Sequence, residues 1–175
     1  MSRITALVLA RSIQQVRDMT PEQKEQLTDN LSLRQPTLLR ICVVQHRVGI
    51  PIEEMDFLYE LILICFQSMN ESGLKWRQIN ENQWARQLSL VITIVQFKKG
   101  LCNELHEQTL HQCLDDHPEK MLFAFVMSEL YSWLNDCGLA DDNKRYVMVV
   151  AITTVNCIAY VPIPSSKKIK KIKTT

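Results

Sequence analysis

Residues 51–73 read PIEEMDFLYELILICFQSMNESG, and this stretch decides the fold class. Pro51 suits the start of a helix, where a missing N–H costs nothing, and Glu53 and Glu54 fall where a carboxylate meets the positive end of the helix dipole. Behind them Met55, Leu58, Tyr59, Ile62, Cys65, Phe66 and Met69 recur at the three- and four-residue spacing of one helical face, and Gly73 supplies the stop.

The same punctuation continues in both directions. Upstream, Gln35-Pro36 restarts the chain and Leu38, Leu39, Ile41, Cys42, Val43 and Val44 make an apolar helix that Gly49 ends. Before that, Thr20-Pro21-Glu22-Gln23 is an N-cap, a first-turn proline and a capping-box partner, preceded by a helix over residues 3–18. Downstream, Asn80 caps a helix through Trp84, Leu88, Val91, Ile92 and Val95 to Gly100, and a fifth apolar pattern covers 101–114. His117-Pro118 starts the next, with Leu122, Phe125, Val126, Leu130 and Trp133 ending at Gly138, and Asp141 or Asp142 caps a last helix over 144–160, stopped by Pro162 and Pro164. The expectation is an all-α, single-domain bundle of seven to eight helices over residues 1–164, with a disordered basic tail over 165–175. The β-branched run from 147 to 155 is the one stretch with a competing strand propensity.

Two segments suggest that the bundle is built from two weakly similar helical pairs. Residues 66–74 match 131–139 in an aromatic helix end, an Asn-acid pair and a glycine, and 91–96 resemble 151–156 five residues out of register. Common helix-end chemistry accounts for the first match equally well.

Composition narrows the class. With 46% hydrophobic and 22% charged residues over a length of 175, the chain has the make-up of one globular domain rather than a disordered or collagen-like one. Its six cysteines (Cys42, Cys65, Cys102, Cys113, Cys137, Cys157) stand singly, mostly among apolar neighbours, which fits reduced thiols in a cytoplasmic protein. The stretch 4–10 is cut short by Arg11 and is not followed by a small-residue cleavage site, unlike an export signal. No residue from 146 to 166 is charged, as in a tail anchor, but the prolines leave only about sixteen helical residues where a span needs ~20. A central bundle helix is the better reading.

A formal net charge of +1 conceals a division. Lys167, Lys168, Lys170, Lys171 and Lys173 give the tail five positive charges, leaving 15 basic against 19 acidic groups in the body. Within that body, residues 74–100 carry Lys75, Arg77, Arg86, Lys98 and Lys99 against Glu81 alone. These ten cations are the candidate contacts to nucleic acid or to a protein partner.

Specific chemistry is sparse. His106 and His111 stand five apart, about 140° around a helix, whereas a zincin motif needs four so that both face one metal. Cys102, His106 and Cys113 share a face with His117 just beyond, which defines a zinc candidate against a core stripe formed with Leu101, Leu105 and Leu110. Four glycines are too few for a phosphate-cradling loop. Arg40 and His46 form an Arg-x5-His pair that resembles the signature of HEPN-type helical ribonucleases, a resemblance that implies a role for both in phosphodiester cleavage; the alternative is the polar edge of a buried helix. Residues 81–100 resemble the helix-turn-helix of phage-type repressors, with Ala85 at the helix crossing, Ser89 at the turn and Trp84, Leu88, Leu90 and Val95 in its core. Ser89 replaces the usual glycine there, and 91–94 are apolar where base-reading residues belong, so one unbroken helix with Val91, Ile92 and Ile94 buried fits better.

These readings converge on a non-enzymatic helical protein-interaction module, an adaptor or small subunit of a larger intracellular assembly that needs no cofactor and takes another protein as partner. The alternative is a nucleic-acid-binding protein using 74–100 and the lysine tail, and the third is an HEPN-like ribonuclease. A membrane partner is disfavoured.

Overall fold

The computed structural model describes residues 2–47, 51–98 and 116–163, the side chains of 44–47, 52–54 and 96–98 excepted. Among the described residues there are seven α-helices and no strand. They are α1 (Ala6–Asp18), α2 (Pro21–Arg34), α3 (Pro36–Arg47), α4 (Ile52–Glu71), α5 (Glu81–Lys98), α6 (Lys120–Asp136) and α7 (Asp141–Tyr160). The fifth helical pattern, over 101–114, and the lysine tail lie outside the described residues.

Capping chemistry sets most of the starts. Thr20 and Gln23 exchange side-chain and backbone hydrogen bonds around Pro21, and Asn80 and Gln83 do the same ahead of α5. Three starts differ from the sequence expectation. Helix α1 begins at Ala6, because the Thr5 hydroxyl accepts from the Val8 amide and so ends the N-terminal arm there. Helix α6 begins at Lys120 rather than at His117-Pro118, because the His117 ring accepts the Glu119 amide at 3.1 Å and holds a bend. Ala140 is the cap residue of α7, which places Asp141 and Asp142 in the first turn, still favourable to the dipole.

Two helices form the centre. In α4 every residue from Leu61 to Phe66 is buried, so this helix is apolar on all sides and packs against α1, α2, α3, α6 and α7. Helix α7 buries eleven residues against α5, α6 and α4. Its β-branched run stays helical because burial outweighs a preference worth a few tenths of a kcal/mol per residue, roughly. Thr153 and Thr154 are buried without penalty, their hydroxyls donating to the carbonyls of Val149 and Val150 at 2.6 and 2.9 Å. Among the described residues no helix is long and apolar enough to cross a membrane.

Helix α5 is continuous through Ser89, whose hydroxyl donates to the Ala85 carbonyl at 2.9 Å instead of turning the chain. The burial expected for its middle holds only in part. Val91 is buried, whereas Leu90, Ile92 and Ile94 are exposed, since α5 leans on α7 along the single stripe that carries Trp84, Leu88 and Val91. The two glycines of the proposed repeat differ: Gly73 has φ +67° and Gly138 does not adopt positive φ.

Candidate functional site

The site is built where α2 and α4 both end. Pro36 forces the residue before it out of helical geometry, so α2 stops at Arg34 and Gln35 becomes a hinge between two helices. Gln35 is buried, and its amide acts as a two-pronged clip: Nε2 donates to the Arg77 carbonyl at 3.0 Å, and Oε1 accepts from the Ile79 amide at 2.8 Å. These bonds hold residues 74–80 as an extended strap across the ends of both helices.

The other end of the strap is fixed by α4. Gly73, in the left-handed region, turns the chain, and its amide donates to the Asn70 carbonyl. The Trp76 indole N–H lies 2.9 Å from both the Met69 carbonyl and the Ser72 hydroxyl, so the ring caps the last turn of α4. The Arg3 guanidinium covers the same ring at 4.5 Å.

Between the strap and the helix ends runs an open groove of about 690 Å³. Phe66 and Met69 lie beneath it as core residues with almost no exposed surface, Gln35, Asn70 and Gln78 make much of its lining polar, and Leu33 and Leu74 stand at its edges with 79% and 38% of their surfaces exposed. Arg34 and Lys75 stand on the rim, Arg34 hydrogen-bonded to the Asn70 side chain at 2.9 Å. Among the described residues no carboxylate lines the groove. The sequence singled out Lys75 but missed Leu33, Arg34 and Leu74. A leucine in the last turn of α2 reads as ordinary helix, and the alternating Lys75-Trp76-Arg77 pattern was the available signal of an extended strap with one face turned inward.

The other basic candidates are only partly gathered here. Arg77 is on the strap and Arg86 is in the second turn of α5; both are exposed, and neither they nor Lys75 has an ion-pair partner among the described residues. Glu81, the single acid of 74–100, is paired with Arg40 of α3. The side chain of Lys98, together with Lys99, Lys167, Lys168, Lys170, Lys171 and Lys173, lies outside the described residues. So does the His46 side chain, so of the Arg-x5-His pair the structure describes only Arg40, exposed and bound to Glu81.

A second polar cluster sits at the far end of α7. Glu119 is wholly buried and accepts from Arg3 Nε at 2.6 Å, from the Arg3 amide at 3.2 Å and from the Ile4 amide at 3.0 Å. The Arg3 guanidinium also donates to the carbonyls of Ile158, Ala159 and Val161, and so caps α7. His117 faces Asn156 Oδ1 through Nε2 at 3.1 Å and stacks on Phe123. With Nδ1 accepting the Glu119 amide, the imidazole is neutral with its proton on Nε2, and burial pushes its pKa below the ordinary value, partly offset by its bonds to Asn156 and Glu119. Both nitrogens are thereby occupied, which removes His117 from the zinc candidate; Cys102, His106 and Cys113 lie outside the described residues. Among the described residues no group of three metal-ligating side chains is present. Cys42, Cys65, Cys137 and Cys157 are free, and burial pushes the thiols of Cys42, Cys65 and Cys157 up to about 12, where little nucleophilic thiolate exists at neutral pH.

No protein-family model, no curated protein and no solved structure matches this chain.

Proposed function

We propose that this protein is a non-enzymatic helical interaction module, an adaptor or small subunit of a larger intracellular assembly. The observation that carries the reading is the groove at the ends of α2 and α4: two exposed leucines flank a mixed polar and apolar lining, beside Arg34 and Lys75, which have no ion-pair partner among the described residues. The groove's volume of about 690 Å³ is of the order of small-molecule sites, roughly 300–1,000 Å³, but it is open rather than enclosing. Free, buried thiols accord with a reducing compartment.

The test is affinity purification from native lysate with the full chain as bait, with and without nuclease. A protein that co-purifies at equal yield in both arms is the expected result. Loss of everything that co-purifies on nuclease treatment would favour the second reading, a nucleic-acid-binding protein. What supports that reading is the set Lys75, Arg77 and Arg86, exposed and without ion-pair partners among the described residues.

A further inference from the structure

We infer that the groove between α2, α4 and the strap binds an acidic peptide segment of a partner protein, which seats one bulky apolar side chain between Leu33 and Leu74. The inference rests on the interaction-module reading and adds the chemistry of the partner. Its first support is charge. Among the described residues the lining holds Arg34 and Lys75 and no carboxylate. Two helix C-termini also point at the groove, and each contributes roughly −0.5 of an elementary charge. Two full positive charges outweigh that sum, leaving the lining net positive by about one. Arg77 does not line the groove, but its carbonyl is held by the Gln35 that does, and it is a further strap cation with no ion-pair partner among the described residues.

The second support is the form of the apolar surface. Leu33 is 79% exposed in the last turn of α2, although its neighbours Leu27 and Leu31 are buried. The turn therefore presents a leucine to solvent at the edge of the groove, facing the exposed Leu74 across a lining that Gln35, Asn70 and Gln78 make partly polar. Apolar lips with cations on the rim match a ligand with an apolar anchor and flanking carboxylates.

A nucleic acid fits the same place less well. Single strands bind through aromatic faces on which bases stack, and the one aromatic ring on the strap, Trp76, has its indole N–H committed to Met69 and Ser72 and a face covered by Arg3. Phosphate contact would also leave Leu33 and Leu74 unused.

The experiment is selection of a random 16-residue peptide display library on the full-length chain, followed by fluorescence polarisation of the enriched peptides against the chain, Leu33→Glu, Lys75→Glu, and single-stranded and duplex oligonucleotides as competitors. We expect enrichment of peptides that combine several Asp or Glu with one Leu, Phe or Trp. Leu33→Glu and Lys75→Glu should each weaken them by about tenfold or more, with circular dichroism unchanged because both positions are exposed. Lys75→Glu should in addition shift a fresh selection toward less acidic peptides. Three results would overturn the inference: no enrichment, enrichment without acidic bias, or peptides indifferent to both substitutions. A fourth is oligonucleotide binding that Lys75→Glu abolishes and Leu33→Glu leaves intact, which would assign the groove to nucleic acid. A nuclease-resistant protein partner still captured by Leu33→Glu and Lys75→Glu would retain the module and relocate its surface.

Discussion

Two polar assemblies flank Trp76 and are put together in opposite ways. At the Arg3 end, Glu119 is fully buried with three donors on its two oxygens, and the Arg3 guanidinium makes three further bonds to the carbonyls of Ile158, Ala159 and Val161 at the end of α7. At the groove end, Lys75 and Arg77 are exposed cations with no ion-pair partner among the described residues, beside leucines that the core leaves uncovered. A buried charge is kept only where every partner is in place, because an unpaired one costs several kcal/mol, roughly. The first assembly therefore holds the molecule together, tying the N-terminal arm to the bend before α6 and to the end of α7. The second contributes little to holding the fold and leaves its charges available to something outside the chain.

The largest effect that would sharpen this contrast is expected for Glu119→Ala. It removes the acceptor of Arg3 Nε and of the Arg3 and Ile4 amides in one stroke. The guanidinium keeps its three carbonyl bonds and is part-exposed, so the loss falls toward the lower end of the range, about 3–5 kcal/mol, that breaking a buried pair from one side costs. Urea denaturation should show a loss in that range; a change under about 1 kcal/mol would mean that the arm contributes little to the fold. His117 adds a smaller, pH-dependent share. Its folded pKa lies below the ordinary 6.5, so the unfolded chain binds more protons in that window. The contribution is fully present above about 6.5 and is lost as pH falls from there toward the lowered folded value. Subtracting the stability of His117→Gln from that of the parent chain at each pH isolates it. The difference should shrink on acidification, and a flat or growing difference would show that His117 does not titrate with folding.

Gly73→Ala comes next, at about 1–2 kcal/mol, because a left-handed backbone is costly for a residue with a Cβ. An added Cβ would meet nothing within 4 Å, so the loss reflects backbone conformation alone. Gly138→Ala is the internal control: with no positive φ and equal space it should cost little, and equal losses at the two glycines would contradict their different conformations.

The features that could be read from the sequence are the local ones. Proline starts, the capping boxes at Thr20 and Asn80 and the apolar spacing of α4 are each decided within a turn of helix, and the all-helical bundle follows from them. The start of α6 was misplaced because His117 caps a bend through its ring, which residue type alone does not signal. The burial of Ile92 and Ile94 was overestimated because an apolar helix does not reveal how wide a stripe its neighbour covers. Most opaque were the long-range partners: Arg3 meets Glu119 across 116 positions, and Gln35 reaches Ile79 across 44, with no periodicity to announce either. Lys75, Arg77 and Arg86 were legible as a charge excess, but the groove that Lys75 lines needs the turn at Gly73 and the Gln35 clip before it exists.

The smallest stability effect belongs to Leu33→Ala, and its smallness is what makes it informative. A leucine 79% exposed has little apolar area to lose on unfolding, and alanine is the better helix former, so the change should stay within about ±0.5 kcal/mol. Phe66→Ala, beneath the same groove and 1% exposed, should cost about 3–5 kcal/mol, because there the side chain is core first and lining second. The two substitutions thus separate what the groove does for the fold from what it presents to a partner. If denaturation of Leu33→Ala instead revealed a loss of about 2 kcal/mol or more, Leu33 would be packed in solution against another part of the chain, and the groove would be part of the core rather than a site. If stability is unchanged while affinity for a selected acidic peptide falls, that leucine is held in the open for contact, which is the distinction between the latched end of the molecule and the unlatched one.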